Sequence, residues 1–565
     1  MREMPKIDMT RGSTLRKLTI VGVASITALS LAACAQSQRD PGNQGGKTGG
    51  TLTFGAEGKP KLFDPFYATD GATFRISRQV FEGLVGFKPG SAEAGPELAT
   101  KWESSTDGKS WTFTLKQGVK FHDGTDFNAE AACFNFNRWY NQKGAGQSSS
   151  VSEYWVDNFG GFADGAKPSL FKSCTVKDAQ NIVVELTGAS SKFPDVLGLP
   201  SFSMQSPTAM QKYNADNVVA QGESFIFPEY AMKQPTGTGP FKFVNYDTTN
   251  NLIELGRFDG YHGDKAKLDK LNFKVIADET ARKQALQSGD IDGYDYPAPA
   301  DWAKLKTDGF QVVPRDAFNV MYLGITQKNN AKLQDFRVRK AISMAINREQ
   351  LVKSQLPETA TVATQFMPKI VQGYNPNVKP IEYSPEKAKA LLAEAGASNL
   401  EVNFWWPSEV TRPYMPNPQD IFGAIAADLR NVGIKLNVVT KPWNGGYLTE
   451  IDQAKADLFL LGWTGDQSAA ANWIGTFFGN AENRFYTKSS PWGEDLAKRL
   501  DAADVTADKA QREKLYQELN RQIVEEYLPA VPLSHSPPAF VLKKDVKNLT
   551  PSPLTAEEFS PVTKG

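Results

Sequence analysis

Cysteine and histidine are almost missing from this 565-residue chain, which has three of each: Cys34, Cys133 and Cys174, and His122, His262 and His535. They stand far apart, and neither a Cys-x-x-Cys nor a His-x-x-x-His spacing occurs, so no metal site is expected. An excess of charge of one sign is also missing. The 63 basic residues balance 63 acidic ones, which removes the usual electrostatic footprint of a nucleic-acid binder. The signatures Gly-x-Ser-x-Gly, His-Glu-x-x-His and Gly-x-Gly-x-x-Gly are absent. Gly46-Lys47-Thr48 resembles the end of a phosphate loop, but the leading glycine would fall at Pro41 and no strand precedes it. Carboxylate pairs of the glycosidase kind are defined by separation in space and leave no mark in a sequence. Internal repeats are lacking, which argues against a solenoid.

What is present begins with a leader. Arg2, Lys6, Arg11, Arg16 and Lys17 precede an apolar run, Leu18 to Ala33, too short to span a bilayer comfortably. Residues 1–33 therefore read as a signal peptide. The run ends Leu31-Ala32-Ala33-Cys34, which resembles a bacterial lipobox and makes Cys34 the expected lipidation site and membrane anchor. Residues 34–50, rich in Gly, Gln, Ser and Asn, read as a flexible tether. Removing the leader takes five basic and two acidic residues, so the chain from Cys34 onward carries about −3. Its aromatic content, 11% of the whole chain, suits packed units and not a stalk. After Cys34 only Cys133 and Cys174 remain, in a compartment where disulfides persist; bridged and free states both stay open.

Strands and helices alternate along the rest. Apolar alternation at Leu52 and Phe54, at Trp111, Phe113 and Leu115, at Val119 and Phe121, and at Ile182, Val184 and Leu186 predicts strands. Helical spacing follows Asp335 through Phe336, Val338, Ala341, Ile342, Ala345 and Ile346, and recurs in Ile421, Phe422, Ile425 and Leu429 before Gly433. Ser384-Pro385-Glu386 opens a further helix that should close at Gly396. The mixture points to α/β layers.

Several stretches then stand in a telling order: Pro96-Glu97-Leu98-Ala99 with Trp102; Asp107-Gly108-Lys109-Ser110-Trp111-Thr112-Phe113; Gly118-Val119-Lys120-Phe121-His122-Asp123-Gly124; Gly237-Thr238-Gly239-Pro240-Phe241; and Tyr383-Ser384-Pro385-Glu386-Lys387-Ala388. From about Thr51 to Pro551 the chain resembles the large peptide-type (family 5) solute-binding proteins of ABC importers. Arg412-Pro413-Tyr414-Met415-Pro416-Asn417 and Gly462-Trp463-Thr464-Gly465-Asp466 are most similar to the dipeptide-binding members.

The resemblance implies a two-lobed α/β fold of the periplasmic-binding-protein type (type II, large peptide-binding class). Lobe I would comprise 51–81, an extra subdomain 82–230, 231–313 and a return 532–565; lobe II would be 314–531, with crossings near Pro314 and Pro532. It implies that Arg412 holds a peptide carboxylate and Asp466 its α-ammonium. Trp463, Trp443 and Tyr414 would wall the ligand, and Gly462, Thr69 and Gly71 would line the cleft. Physically, a zwitterion leaves water only if both ends are paired. An arginine fork suits a carboxylate, and an aspartate accepts several N–H donors. After the aspartate, dipeptide-binding relatives carry Asp-Pro, whereas here Ala469-Ala470-Ala471 precedes Asn472-Trp473. The expected partners are a peptide, permease subunits with cytoplasmic ATPases, and the membrane through lipid on Cys34. The chain is expected to be a monomer with no cofactor. A non-peptide solute (oligosaccharide, nickel complex or haem) and an exported hydrolase are the alternative readings.

Overall fold

The computed structural model describes residues 48–222 and 224–565, which belong to one compact unit, Gly45–Gly565. The expected signal peptide, the lipidation site Cys34 and most of the tether lie outside the described residues. The tether's last residues are tied down: Gly49 N–H donates to the Lys267 carbonyl at 2.6 Å and Gly50 N–H to Asp269 Oδ2 at 2.8 Å.

The architecture is the expected two-lobed α/β fold. The first lobe is built on a seven-stranded sheet in the spatial order Phe241–Asp247, Leu252–Arg257, Lys270–Val275, Thr51–Ala56, Gly293–Asp295, Ala539–Leu542, Gln311–Pro314. Its core gathers Leu52, Phe54, Phe241, Leu255, Phe273 and Phe540, with Ile76 and Val80 of helix Gly71–Val80 laid against them. The second lobe's sheet runs Thr361–Val362, Ala530–His535, Asn319–Ile325, Leu458–Thr464, Glu401–Ser408, Lys435–Pro442. Its central strands are apolar on both faces because both are covered. Met321, Leu323 and Ile325 enter one core with Leu458 and Leu460, while Val320 and Tyr322 enter the opposite core with Phe459 and Leu461.

The extra subdomain carries a four-stranded sheet, Ala99–Ser104, Ser110–Leu115, Asn181–Leu186, Phe171–Asp178. Helix Ala129–Tyr140 packs on it through Phe136 and Tyr140, which both meet Phe171, and the same core takes in Trp139 of this helix and Leu62, Phe66, Tyr67 and Phe74 from upstream of residue 82. Cys133 on this helix is bridged to Cys174 on the strand, with Cα atoms 5.3 Å apart. Val119 and Phe121 differ from expectation. Both are buried in this core, but outside any strand, in a loop held by an isolated bridge between Lys120 and Asp126 around a turn at Gly124 (φ +85°). Alternation over so few residues reports burial, and a ladder needs a neighbour to pair with.

The capping signals are realised. Asp335 accepts from Arg337 N–H at the start of helix Phe336–Ala345, and Ser384 accepts from Lys387 N–H at the start of Pro385–Glu394.

The chain leaves the first sheet after Pro314, enters the second at Asn319, and returns between His535 and Ala539. The second crossing therefore lies downstream of Pro532. That proline is inside strand Ala530–His535 opposite Tyr322, where the ladder shifts register beside a residue with no N–H to give. The crossings hold one another. Arg315 N–H donates to the Pro538 carbonyl at 2.8 Å, Asn319 Nδ2 donates to the Ser536 carbonyl at 2.6 Å, and Ser536 N–H donates to Asn319 Oδ1 at 3.0 Å. A buried ring of charge sits beside them. Arg75 and Arg315 each pair with both Asp295 and Glu557, and no side chain of the four is more than 5% exposed. Arg315 Nη2 is 2.8 Å from Asp295 Oδ1, too oblique for a hydrogen bond, so that contact is Coulombic.

Candidate ligand-binding site between the lobes

Strand Leu458–Thr464 runs out of the second lobe's sheet into Gly465 and Asp466. Asp466 is half-buried. Its N–H donates to Asn472 Oδ1 at 2.8 Å, and Asn472 Nδ2 donates back to Oδ2 at 3.3 Å. The Tyr154 hydroxyl, on helix Glu153–Phe159 of the first lobe's subdomain, donates to Asp466 Oδ1 at 3.5 Å. Asp466 is therefore a point where the two lobes meet. Burial raises its pKa, partly offset by the Asn472 and Tyr154 hydrogen bonds and by nearby Arg78. No lysine or arginine among the described residues comes within ion-pair distance of it. Other contacts between lobes include Ser191 Oγ donating to the Asp504 carbonyl at 2.6 Å, Lys192 Nζ with Asp504 Oδ2 at 3.9 Å and Lys306 Nζ with Glu358 Oε1 at 3.1 Å.

Arg412 is held by a two-bond bridge with Met415 (N···O 3.1 and 2.9 Å) just before helix Pro418–Asn431. Its guanidinium carbon lies 4.4 Å from the Trp443 ring centre, a cation–π contact, and it pairs with no carboxylate among the described residues. Trp443 opens a turn, Trp443–Tyr447, that needs Gly446 at φ +96°, and it stacks on Tyr447 at 6.2 Å.

The segment after Gly462 is unusual in its polar atoms. Trp463 Nε1, Gln467 Oε1 and Ser468 Oγ are all buried and all lack a partner among the described residues. Unspent buried polar atoms are costly, and three of them fall within these six residues. Trp463 was legible in its motif, but Gln467 and Ser468 carry no sequence signal.

The remaining expected residues divide. Tyr414 and Gly462 are buried against each other, and a Cβ at Gly462 would run into the Tyr414 ring and the Val320 carbonyl. Packing accounts for both; burial pushes the Tyr414 hydroxyl's pKa up. Thr69 is half-buried, and Gly71 is exposed with open space where a Cβ would stand. From Gly71 the helix carries Phe74 and Arg78 on the same face, at steps of three and four. Phe74 meets Tyr154 edge-on at 5.5 Å, which links this face to Asp466. Phe74, Arg78 and Tyr154 were missed in the sequence, although the helical period counted from Gly71 would have found the first two.

Comparison with known proteins agrees with the two-lobed fold. A family model described as bacterial extracellular solute-binding proteins, family 5 middle, matches residues 93–485. The dipeptide-binding protein of Escherichia coli K12 is 32% identical over 554 residues, covering 95% of this chain and 97% of that protein. Heme-binding protein A of Haemophilus influenzae is 30% identical over 556 residues, covering 96% and 98%. Among solved structures, HbpA2 from Haemophilus parasuis superposes with a TM-score of 0.78 at 28% identity, covering 91% of this chain and 100% of that one. Matched over most of its length in sequence and in fold, the chain belongs to the bacterial extracellular solute-binding proteins of family 5.

Proposed function

We propose that this protein is the lipid-anchored, substrate-binding component of an ABC importer, capturing di- or oligopeptides between its lobes and delivering them to a permease. The observation that carries the reading is a pair of unspent opposite charges. Asp466 has no cationic partner and Arg412 no anionic one among the described residues; Asp466 lies within the stretch where Trp463, Gln467 and Ser468 keep unpaired polar atoms, and Arg412 is two residues from Tyr414, which packs on Gly462 at the start of that stretch. Two uncompensated charges of opposite sign, with amide-binding groups near them, suit a zwitterion with a peptide backbone.

In this reading the α-ammonium takes Asp466, the carboxylate takes the Arg412 fork, and Trp443 and Trp463 flank the chain. Closure about residues 315–318 and 536–538 presents the loaded form to the permease, which favours closed over open. The protein turns over nothing, so incubation with peptides or glycosides should leave them intact. Anchoring through Cys34 keeps the binder concentrated beside its importer at the extracytoplasmic face.

Calorimetry with a dipeptide series tests this. Asp466→Asn and Arg412→Gln should each weaken binding by about 2–5 kcal/mol, roughly thirtyfold to several thousandfold. Unchanged affinity in both variants overturns the reading. A second reading, a non-peptide solute, is favoured by the relative named heme-binding protein A and by the missing Asp-Pro after Asp466. Haem binding with no dipeptide binding would select it.

A further inference from the structure

The partly or fully buried arginines of the described residues are nearly all spent within the protein. Arg138 pairs with Asp64 and Asp216, and Arg339 makes four hydrogen bonds to the carbonyls of Leu333, Tyr527 and Leu528. Arg282 donates to the carbonyls of Ile276 and Ala277. Of these partly or fully buried arginines among the described residues, only two lack both an ion pair and any hydrogen bond shorter than 3.5 Å. One is Arg412 in the second lobe. The other is Arg78 in the first, whose one polar contact is Nη1 to the Thr555 carbonyl at 3.5 Å.

Arg78 stands at the cleft. Its guanidinium carbon is 5.9 Å from the Phe74 ring centre, Phe74 meets Tyr154, and the Tyr154 hydroxyl reaches Asp466. Burial, with Arg75 three residues earlier, pulls the Arg78 pKa down to about 10, so the cation is short of counter-charge. This sets a problem for a simple peptide. An α-ammonium docked on Asp466 would lie at the same end of the cleft as the unpaired guanidinium of the facing lobe, and like charges repel. A carboxylate carried by the same ligand residue removes the conflict, because it answers Arg78 while the ammonium answers Asp466.

Resting on the peptide reading above, we propose that Arg78 is a specificity determinant that takes a carboxylate on the ligand's first residue. The preferred ligands are then peptides beginning with Asp or Glu. Arg412 is left for the far end, so the site holds three charged anchors instead of two.

The experiment compares Asp-Ala, Asn-Ala and Ala-Ala by calorimetry on the full chain and on Arg78→Gln and Arg78→Lys. The unaltered protein should bind Asp-Ala about tenfold or more tighter than Asn-Ala. Arg78→Gln should bring that ratio close to one, and Arg78→Lys should keep a preference for Asp-Ala. Equal binding of Asp-Ala and Asn-Ala by the unaltered protein overturns the proposal without needing any variant. So does a preference that survives Arg78→Gln. Failure of all three dipeptides to bind the unaltered protein would instead sink the peptide reading beneath it.

Discussion

The charge ring beside the crossings makes Glu557→Gln an informative perturbation. Glu557 Oε1 accepts from Arg315 Nε at 2.7 Å and from Ser552 N–H at 3.0 Å, and Oε2 accepts from Arg75 Nη1 at 3.3 Å. Two guanidiniums balance two carboxylates in the native ring. The amide keeps the shape and one acceptor but leaves two cations on Asp295 alone, at sites no more than 5% exposed. An uncompensated buried charge costs about 3–5 kcal/mol, and the retained acceptor places the expectation near the lower end. Urea denaturation at neutral pH should read that loss. The pH dependence gives a second handle. Burial alone would raise Glu557, but Arg315 and Arg75 outweigh it and hold the carboxyl well below the usual range. A depressed carboxyl contributes stability that is fully present above its unfolded pKa, roughly 4.3, and is lost as pH falls toward the native value. Stability of the unaltered protein should therefore drop more steeply than that of Glu557→Gln between about pH 5 and pH 2. A loss under about 1 kcal/mol at neutral pH, with parallel acid profiles, would refute the view of the ring as a tightly coupled neutral cluster.

Dipeptide affinity should begin to fall, on acidification, at a higher pH than an ordinary aspartate would give, because burial raises Asp466 and only its ionised form holds an ammonium; Asp466→Asn should lack that limb. In the empty protein the stability sign is opposite. A carboxyl raised on folding loses its contribution as pH rises through the raised value, so Asp466→Asn should stabilise the ligand-free chain at neutral pH in a thermal melt. Opening the Cys133–Cys174 bridge by double serine substitution frees partners 41 residues apart, for which loop-closure entropy predicts a loss of about 4 kcal/mol, read by denaturant unfolding. Gly462→Ala should cost about 1–3 kcal/mol, since its methyl must displace the Tyr414 ring or the Val320 carbonyl; a neutral result would mean that the strand can shift. Cys34→Ser in the full chain should move the protein from the membrane fraction to the soluble one on cell fractionation.

What was legible in the sequence was local. The helix from Pro385 to Glu394 announces itself through a serine cap, a first-turn proline and a glycine beyond its end, each acting within a few residues. The strands at 110–115 and 181–186 are written by alternation because each buries one face in the subdomain core. The same signal misled at Val119 and Phe121, where burial alternates without a paired neighbour. Asp466 and Arg412 were nameable because short motifs surround them. The groups that give Asp466 its setting, Tyr154 at 312 residues' distance and Arg78 farther still, have no motif at all.

The charge ring follows the same rule more severely. Arg75, Asp295, Arg315 and Glu557 come from four separate stretches, with 220 residues between the first pair and 482 between Arg75 and Glu557. Nothing local distinguishes these residues from solvated surface charges, and only the return of the chain through the second crossing brings Glu557 to Arg315. That return also makes the ring useful. Arg315 belongs to the first crossing, its N–H bonds the second, and its guanidinium reaches the C-terminal segment, so one residue ties both connections to the first lobe. In the closure proposed above, Arg315 is the fixed end, and Asp466, where the Tyr154 hydroxyl makes a single contact at 3.5 Å, is the end that a ligand would draw together. A two-lobed binder needs this division, with strong neutral pairing where the lobes are joined and unspent charge where they must be drawn together.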